Sequence, residues 1–210
     1  LIRVVIADDH AVVRRGLQHI VNESDDMRVV GEATNVTELL DLVSRQACDV
    51  LVLDISMPGR SGLDVLKDLK RDRPRLPVLV LSIHPEEQYA IRAFRSGAAG
   101  YLTKDAVPDQ LLSALRKLVS GGRFLSAALA ERLAGQLATD GAGAPHETLS
   151  DREYEVMCML ASGKSVTQIA ADLLLSVKTV STYRTRILEK MNLENNAQIT
   201  HYAIQNRLIA

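Results

Sequence analysis

Asp54 closes the run Val50-Leu-Val-Leu, and Ile55-Ser-Met-Pro-Gly-Arg60 follows it. A short continuous apolar run bounded by turn residues reads as a strand buried on both faces. An acid at its carboxyl end stands at the rim of a sheet, where open α/β folds keep their ligands. Other polar residues end apolar runs in the same way. Asp8 and Asp9 follow Leu1-Ile-Arg-Val-Val-Ile-Ala7, Ser82 closes Val78-Leu-Val-Leu, and Lys104 follows Gly100-Tyr-Leu-Thr103. If the strands lie in the order 2-1-3-4-5, all of these residues converge in one crevice beside the first and third strands. Three carboxylates at one rim repel each other and call for a cation, and an all-oxygen donor set suits Mg²⁺ better than Zn²⁺. A lysine and a hydroxyl on the far side suit an anion. Together these groups can perform phosphoryl transfer onto an aspartate. Taken singly, an Asp after a strand is a turn residue or helix cap and a Lys is a solvated charge, so the joint placement carries the reading.

The elements that must position these groups alternate. Strands are expected at 1–7, 27–33, 50–54, 78–82 and 100–103. Between them, Val13, Leu17, Ile20 and Val21 recur on one helical face, as do Val36, Leu39, Leu40 and Val43, then Val65, Leu66 and Leu69. A fourth helix runs from Glu86 to Ser96 and stops at Gly97. Pro108 opens a fifth, carrying Leu111, Leu112, Leu115 and Val119 and ending at Gly121-Gly122. Five strands alternating with five helices predict a flavodoxin-like, doubly wound parallel sheet with both faces covered.

Asp8-Asp9, Asp54 with Met57-Pro58-Gly59 behind it, Ser82, and Tyr101 three residues before Lys104 resemble the receiver domain of bacterial response regulators. The resemblance covers residues 1–122. It implies that Asp54 accepts a phosphoryl group from a phosphohistidine on a sensor histidine kinase. It implies that Asp9 and Asp54, helped through water by Asp8 and by the backbone carbonyl of Ser56, hold Mg²⁺. Lys104 would pair with the phosphoryl oxygens, Ser82 would swing to hydrogen-bond one of them, and Tyr101 would follow inward. His84, two residues past Ser82, is read as an exposed loop histidine.

Composition sets the outer bounds. The chain has 210 residues, 47% hydrophobic and 24% charged, enough for a buried core and for two ordinary domains. A net charge of −1 names no partner. Cys48 and Cys158 are far apart, without metal-ligand or C-x-x-C spacing, and read as apolar residues of a reducing compartment. No stretch reaches the ~18 apolar residues of a membrane helix, and the first run meets Asp8-Asp9 too soon for a signal peptide. A cytoplasmic setting is expected, with no membrane contact.

Past residue 122 the pattern changes. Leu129, Leu133 and Leu137 give Ala127–Ala138 a narrow apolar stripe, the mark of a linker helix, and Thr139-Asp-Gly-Ala-Gly-Ala-Pro145 is a tether of small residues. Residues 123–146 therefore divide two domains. Residues 147–210 read as four helices, an all-α helix-turn-helix domain. Ser150-x-x-Glu153 and Ser165-x-x-Gln168 are capping boxes. Val156, Met157 and Leu160 form one inward face, and Ile169, Ala170, Leu173 and Leu174 a second. Ser176 caps a third helix with Val177, Val180, Ile187, Leu188 and Met191 inward. Asn195-x-x-Gln198 opens the fourth, with Ile199 and Ala203 apolar. Residues 146–210 carry seven Lys or Arg and seven Asp or Glu, yet within 176–190 four cations meet only Glu189. Lys178, Ser181, Thr182, Thr185, Arg186 and Glu189 share one face. Two cations and three hydroxyls there suit phosphate contacts and groove reading. By charge count alone, a solvated helix face is the favoured reading.

Leu149-Ser-Asp-Arg-Glu-Tyr-Glu-Val156, Gly163-Lys-Ser, Gln168-Ile-Ala170 and Ser176-Val-Lys-Thr-Val-Ser-Thr-Tyr-Arg184 resemble the DNA-binding domain of NarL/FixJ (LuxR-type) regulators. The resemblance implies that Lys178, Thr179 and Arg186 contact phosphates while Ser181, Thr182 and Thr185 face base edges. This chain departs from the family at Ser181, often Lys there, at Val166 and Thr167 in place of Asn-Lys, and at Asn196 in place of a common Arg. Fewer cations predict a weaker salt dependence and a need for a dimer or a second DNA-binding partner. The whole reads as a two-component response regulator and transcription factor rather than an enzyme. Its expected partners are the kinase, an operator duplex, a second copy on phosphorylation through the helix 196–205, and RNA polymerase as a further candidate. The rivals are a phosphate-independent regulator that heterodimerises, and an aspartyl-phosphate phosphatase. The phosphatase would need a second Asp two residues past the first, where this chain has Ser56.

Overall fold

A computed structural model describes residues 1–57, 60–83, 86–127, 129–131 and 144–209, with the side chains of Glu87 and Gln88 outside that description. The chain divides into two compact units, 1–134 and 135–210.

In the first unit, β1 (Ile2–Ala7), β2 (Met27–Ala33), β3 (Val50–Asp54), β4 (Val78–Ser82) and β5 (Gly100–Thr103) form one parallel sheet in the order β2-β1-β3-β4-β5. The helices α1 (Ala11–Asn22), α2 (Val36–Arg45), α3 (Gly62–Asp72), α4 (Glu86–Arg95) and α5 (Val107–Val119) connect them. Every residue of β3 and β4 is buried, as expected of central strands covered on both faces. On one face Leu17 and Val21 of α1 meet Leu111, Leu115 and Leu118 of α5 over Val4, Ile6, Val50 and Val52. At the end of α4, Gly97 takes φ +103°, the Gly97 amide donates to the Phe94 carbonyl, and the Ala98 amide donates to the Ala93 carbonyl. This left-handed cap stops the helix and turns the chain into β5.

The chain stays with the sheet beyond α5. The Tyr101 amide donates to the Phe124 carbonyl and the Phe124 amide to the Ala99 carbonyl, so 124 lies beside the edge strand. Residues 127 and 129–131 are helical. The rest of the expected linker helix, the tether up to residue 143, Pro58-Gly59 and His84 lie outside the described residues.

The second unit holds a short 3₁₀ turn, Pro145–Thr148, and four helices: α6 (Asp151–Ala161), α7 (Val166–Asp172), α8 (Val177–Met191) and α9 (Asn196–Gln205). Both expected capping boxes are present, with Ser150 and Glu153, then Ser165 and Gln168, each satisfying the other's backbone amide. The buried Glu153 carboxylate also accepts from Lys190 Nζ at 2.6 Å, tying α6 to α8. His146 Nδ1 lies 2.8 Å from the Tyr202 hydroxyl, pinning the 3₁₀ turn to α9.

In the second unit, two positions expected to face inward are not in the core. Leu174 is 71% exposed and Val177 is 48% exposed. Leu174 is the left-handed residue of the turn between α7 and α8, at φ +53°; its amide donates to the Ala171 carbonyl and the next amide to the Ala170 carbonyl. Helical periodicity ends at Leu173, and the reversed backbone points the next side chain outward. Val177 is the first residue of α8, before its apolar face has come round to the core. A β-carbon in the left-handed region costs about 1–2 kcal/mol, partly offset in a glycine replacement by the freer unfolded chain. Leu174→Gly is therefore expected to raise the stability of the second unit by about 0.5–1 kcal/mol, read as a higher midpoint in thermal or urea unfolding.

Candidate functional site

The register of the sheet builds the first site. Ala7 pairs with Leu53 and Asp54 with Leu81, so Asp8, Asp54 and Ser82 leave three adjacent strands at one level. Asp8, Asp54 and Ser82 are fully buried, while Asp9 is partly exposed. Each buried carboxylate caps its own turn. Asp8 Oδ1 accepts from the His10 amide at 2.7 Å, and Asp54 Oδ1 from the Ser56 amide at 2.8 Å. The opposite oxygens face Lys104, which follows β5 and reaches across β4. Its Nζ donates to Asp8 Oδ2 at 2.8 Å and to Asp54 Oδ2 at 2.6 Å. Tyr101, on β5, is buried.

Burial raises the Asp54 carboxyl above the ordinary carboxylate range, against the pull of the Lys104 ammonium and the Ser56 amide. Burial also opposes the charge on Lys104, but its bonds to Asp54 and Asp8 outweigh that and raise its pKa. One ammonium thus faces two buried carboxylates, with Asp9 beside them. Asp9 Oδ1 is shut off from solvent and accepts no hydrogen bond among the described residues. Oxygens of Asp8, Asp9 and Asp54 and a ring nitrogen of His10 all lie within 4.8 Å of one another. An orphaned carboxylate oxygen and a deficit of positive charge are what a divalent cation would correct, so the residues present fit one.

Sequence reasoning placed Asp8, Asp9, Asp54, Ser82 and Lys104 at this rim; the structure joins Asp8, Asp54 and Lys104 there with Asp9 beside them, ends the next strand at Ser82, puts Ser56 in the turn after Asp54, and holds Tyr101 within β5, opposite Val80. It missed their supports. Arg14 Nη1 donates to the Asp8 carbonyl at 2.9 Å and its Nε lies 3.4 Å from Glu32 Oε2, fixing the turn after β1. Gly62, first residue of α3, lies so close to the Ile55 backbone that a β-carbon would overlap it. Only Gly lets the helix start directly under the loop after Asp54.

The second site is the exposed face of α8. Lys178, Ser181, Thr182, Thr185 and Arg186 are exposed and Thr179 is half-buried. The Ser176 and Thr179 hydroxyls are 2.8 Å apart, and Ser176 Oγ accepts the Thr179 amide, which caps the helix. The Thr182 hydroxyl donates to the Lys178 carbonyl and the Thr185 hydroxyl to the Ser181 carbonyl. The four cations of this helix divide. Lys190 is held by Glu153, and Arg184 Nε donates to Asn196 Oδ1 at 2.6 Å. Lys178 and Arg186 form no ion pair among the described residues, so the charge on this face is theirs. Glu189, the acid that shares their face, is exposed.

Two family models match the chain: "Response regulator receiver domain" over residues 4–116, and "Bacterial regulatory proteins, luxR family" over 147–203. The response regulator UvrY of Escherichia coli K12 is 34% identical over 209 residues, covering 99% of this chain and 96% of UvrY. The oxygen regulatory protein NreC of Staphylococcus carnosus is 35% identical over 214 residues, covering 99% of each. Among solved structures, RcsB of Salmonella enterica serovar Typhimurium, bound to the rprA promoter with the phosphomimetic BeF₃⁻, matches with a TM-score of 0.66. It is 30% identical, over 96% of this chain and 98% of that one.

Removing the ammonium tests the balance of charge at the rim. Breaking a buried ion pair from one side costs about 3–5 kcal/mol. Lys104→Met is therefore expected to lose about 3 kcal/mol in urea unfolding at neutral pH. Asp54 keeps its proton to a higher pH folded than unfolded, so its ionisation opposes folding, and the deficit should shrink as pH falls toward its raised pKa. A deficit that does not change with pH would show that Lys104 does not compensate a buried carboxylate.

Proposed function

Because the chain belongs to the response regulators that join a receiver domain to a luxR-family DNA-binding domain, we propose that Asp54 is its phosphoacceptor and α8 its operator-reading helix. As a response regulator of this kind it is a transcription factor of a two-component system. We assign the receiver to residues 1–122, the linker to 123–146 and the DNA-binding domain to 147–210. The observation that carries the reading is the meeting of Lys104 Nζ with Asp54 Oδ2 and Asp8 Oδ2 at a buried strand-end rim.

The donor is a phosphohistidine of a sensor histidine kinase. A carboxylate oxygen of Asp54 attacks phosphorus, the P–N bond breaks, and the imidazole leaves with its electron pair and takes up a proton. Asp8, Asp9, Asp54 and the Ser56 carbonyl would hold Mg²⁺. When bound, Mg²⁺ supplies positive charge to the phosphoryl oxygens. The remaining work falls to the chain. Lys104 keeps Asp54 oriented before transfer and pairs with the new phosphoryl oxygens after it. Ser82, buried one strand away, hydrogen-bonds a phosphoryl oxygen, and Tyr101, two residues earlier along β5 than the partner of Ser82, follows. Burial keeps water from hydrolysing the product, and the added charge of about −1.5 to −2 shifts the receiver surface.

In the DNA-binding domain, Lys178, Thr179 and Arg186 contact phosphates and Ser181, Thr182 and Thr185 face base edges. Lys178 and Arg186, without an ion pair among the described residues, give one monomer a modest electrostatic hold, which favours binding as a homodimer formed on phosphorylation, with α9 as its surface in this domain. RNA polymerase is the further partner of such a regulator on its promoter. No helix among the described residues is long and apolar enough to cross a membrane.

Incubation of the full chain with Mg²⁺ and acetyl phosphate should add one phosphoryl group by intact mass, and Asp54→Ala should remove that adduct while leaving the circular dichroism spectrum unchanged. Uptake that survives in the variant would assign the acceptor elsewhere. Arg186→Ala should weaken binding to all duplexes alike and reduce the slope of log K against log salt by about one. An unchanged slope would take Arg186 out of the interface.

A further inference from the structure

The acidic rim carries a nitrogen donor that an all-oxygen Mg²⁺ site does not need. His10, the residue before α1, places Nδ1 2.9 Å from Asp9 Oδ1 and 3.3 Å from Asp8 Oδ1. The nitrogen is not aligned for a hydrogen bond with Asp9, whose buried Oδ1 accepts none. Around a first-row divalent ion with bonds of about 2.1 Å, adjacent donors stand about 3 Å apart and opposite donors about 4.2 Å. The spacings from His10 to the two carboxylates match adjacent donors, and the whole Asp8, Asp9, His10 and Asp54 set lies within 4.8 Å. The imidazole is 60% exposed, so it can turn without moving the core, while its backbone amide is held by Asp8 Oδ1.

We infer that His10 is a nitrogen ligand of this site, and that it gives the receiver a preference for later first-row divalent ions over Mg²⁺. Imidazole suits ions such as Co²⁺, Ni²⁺ and Zn²⁺; affinities for mixed nitrogen and oxygen sites rise from Mn²⁺ through Co²⁺ and Ni²⁺ to Cu²⁺ and fall again at Zn²⁺, whereas Mg²⁺ gains little from exchanging a water for a nitrogen. The inference rests on the proposed cation site at Asp8, Asp9 and Asp54. It makes that site responsive to which metal the cell supplies, with Mg²⁺ held by the oxygen donors alone and a late metal held by the carboxylates and His10. The same rim would then accept two classes of cation with different donor sets.

The test uses Co²⁺ on the full chain, read by calorimetry and by proton NMR. Co²⁺ should bind competitively with Mg²⁺, and one exchangeable, strongly shifted imidazole N–H signal should appear. His10→Gln should remove that signal and lower Co²⁺ affinity roughly tenfold while changing Mg²⁺ affinity by less than about twofold. Asp54→Asn should weaken both ions. Bound Co²⁺ that competes with Mg²⁺ but shows no imidazole signal, or equal affinity in His10→Gln, would overturn the role of His10 and leave the acidic site standing. Binding of neither ion, or binding indifferent to Asp54→Asn, would overturn the acidic site and His10 with it.

Discussion

The first unit is governed by negative charge placed where water cannot reach it. Asp8 and Asp54 end neighbouring central strands, their side chains shielded, with Asp9 beside them and the Lys104 ammonium 2.6–2.8 Å from the buried pair. A covered parallel sheet makes this arrangement unavoidable. Strands buried on both faces are apolar along their length and can carry polar groups only at their ends. The order β2-β1-β3-β4-β5 brings those ends together beside the reversal of winding. Charge left under-compensated in the folded state opposes folding and attracts cations, so the rim holds an electrostatic imbalance that the surrounding core must keep in place.

Most of this geometry was legible in the sequence because it depends on strand ends. A continuous apolar run names a buried strand, and the residue that breaks the run names the rim, so Asp54, Ser82 and Lys104 could be placed without contacts. Supporting residues give no such signal. Arg14 reads as one more cation of an amphipathic helix, and only the structure shows its guanidinium on the Asp8 carbonyl. His10 carries no such signal either, because its approach to two carboxylates depends on the turn after β1. The reading of the core failed where the backbone changes hand. Leu174 continues an apolar pattern, yet its left-handed conformation turns it to solvent.

The second unit shows the same division between pattern and geometry. Capping residues announced its helix starts, and the chain uses them as the sequence implies. Charge was harder to read, because a count of four cations on α8 does not say where each one points. Glu153 and Asn196 hold Lys190 and Arg184 within the unit, so half of the apparent nucleic-acid charge is structural. The face left over is small, polar and weakly cationic, a surface that depends on shape and pairing more than on attraction at a distance.

Gly62 gives the acidic rim an asymmetry. The start of α3 abuts the Ile55 backbone with no room for a single methyl, so the loop after Asp54 rests on main chain. Across the rim, Ser82 is buried but the next residue, Ile83, stands 69% exposed. On the α3 side the rim therefore rests on an anvil of main chain, while on the β4 side its wall gives way to solvent at Ile83.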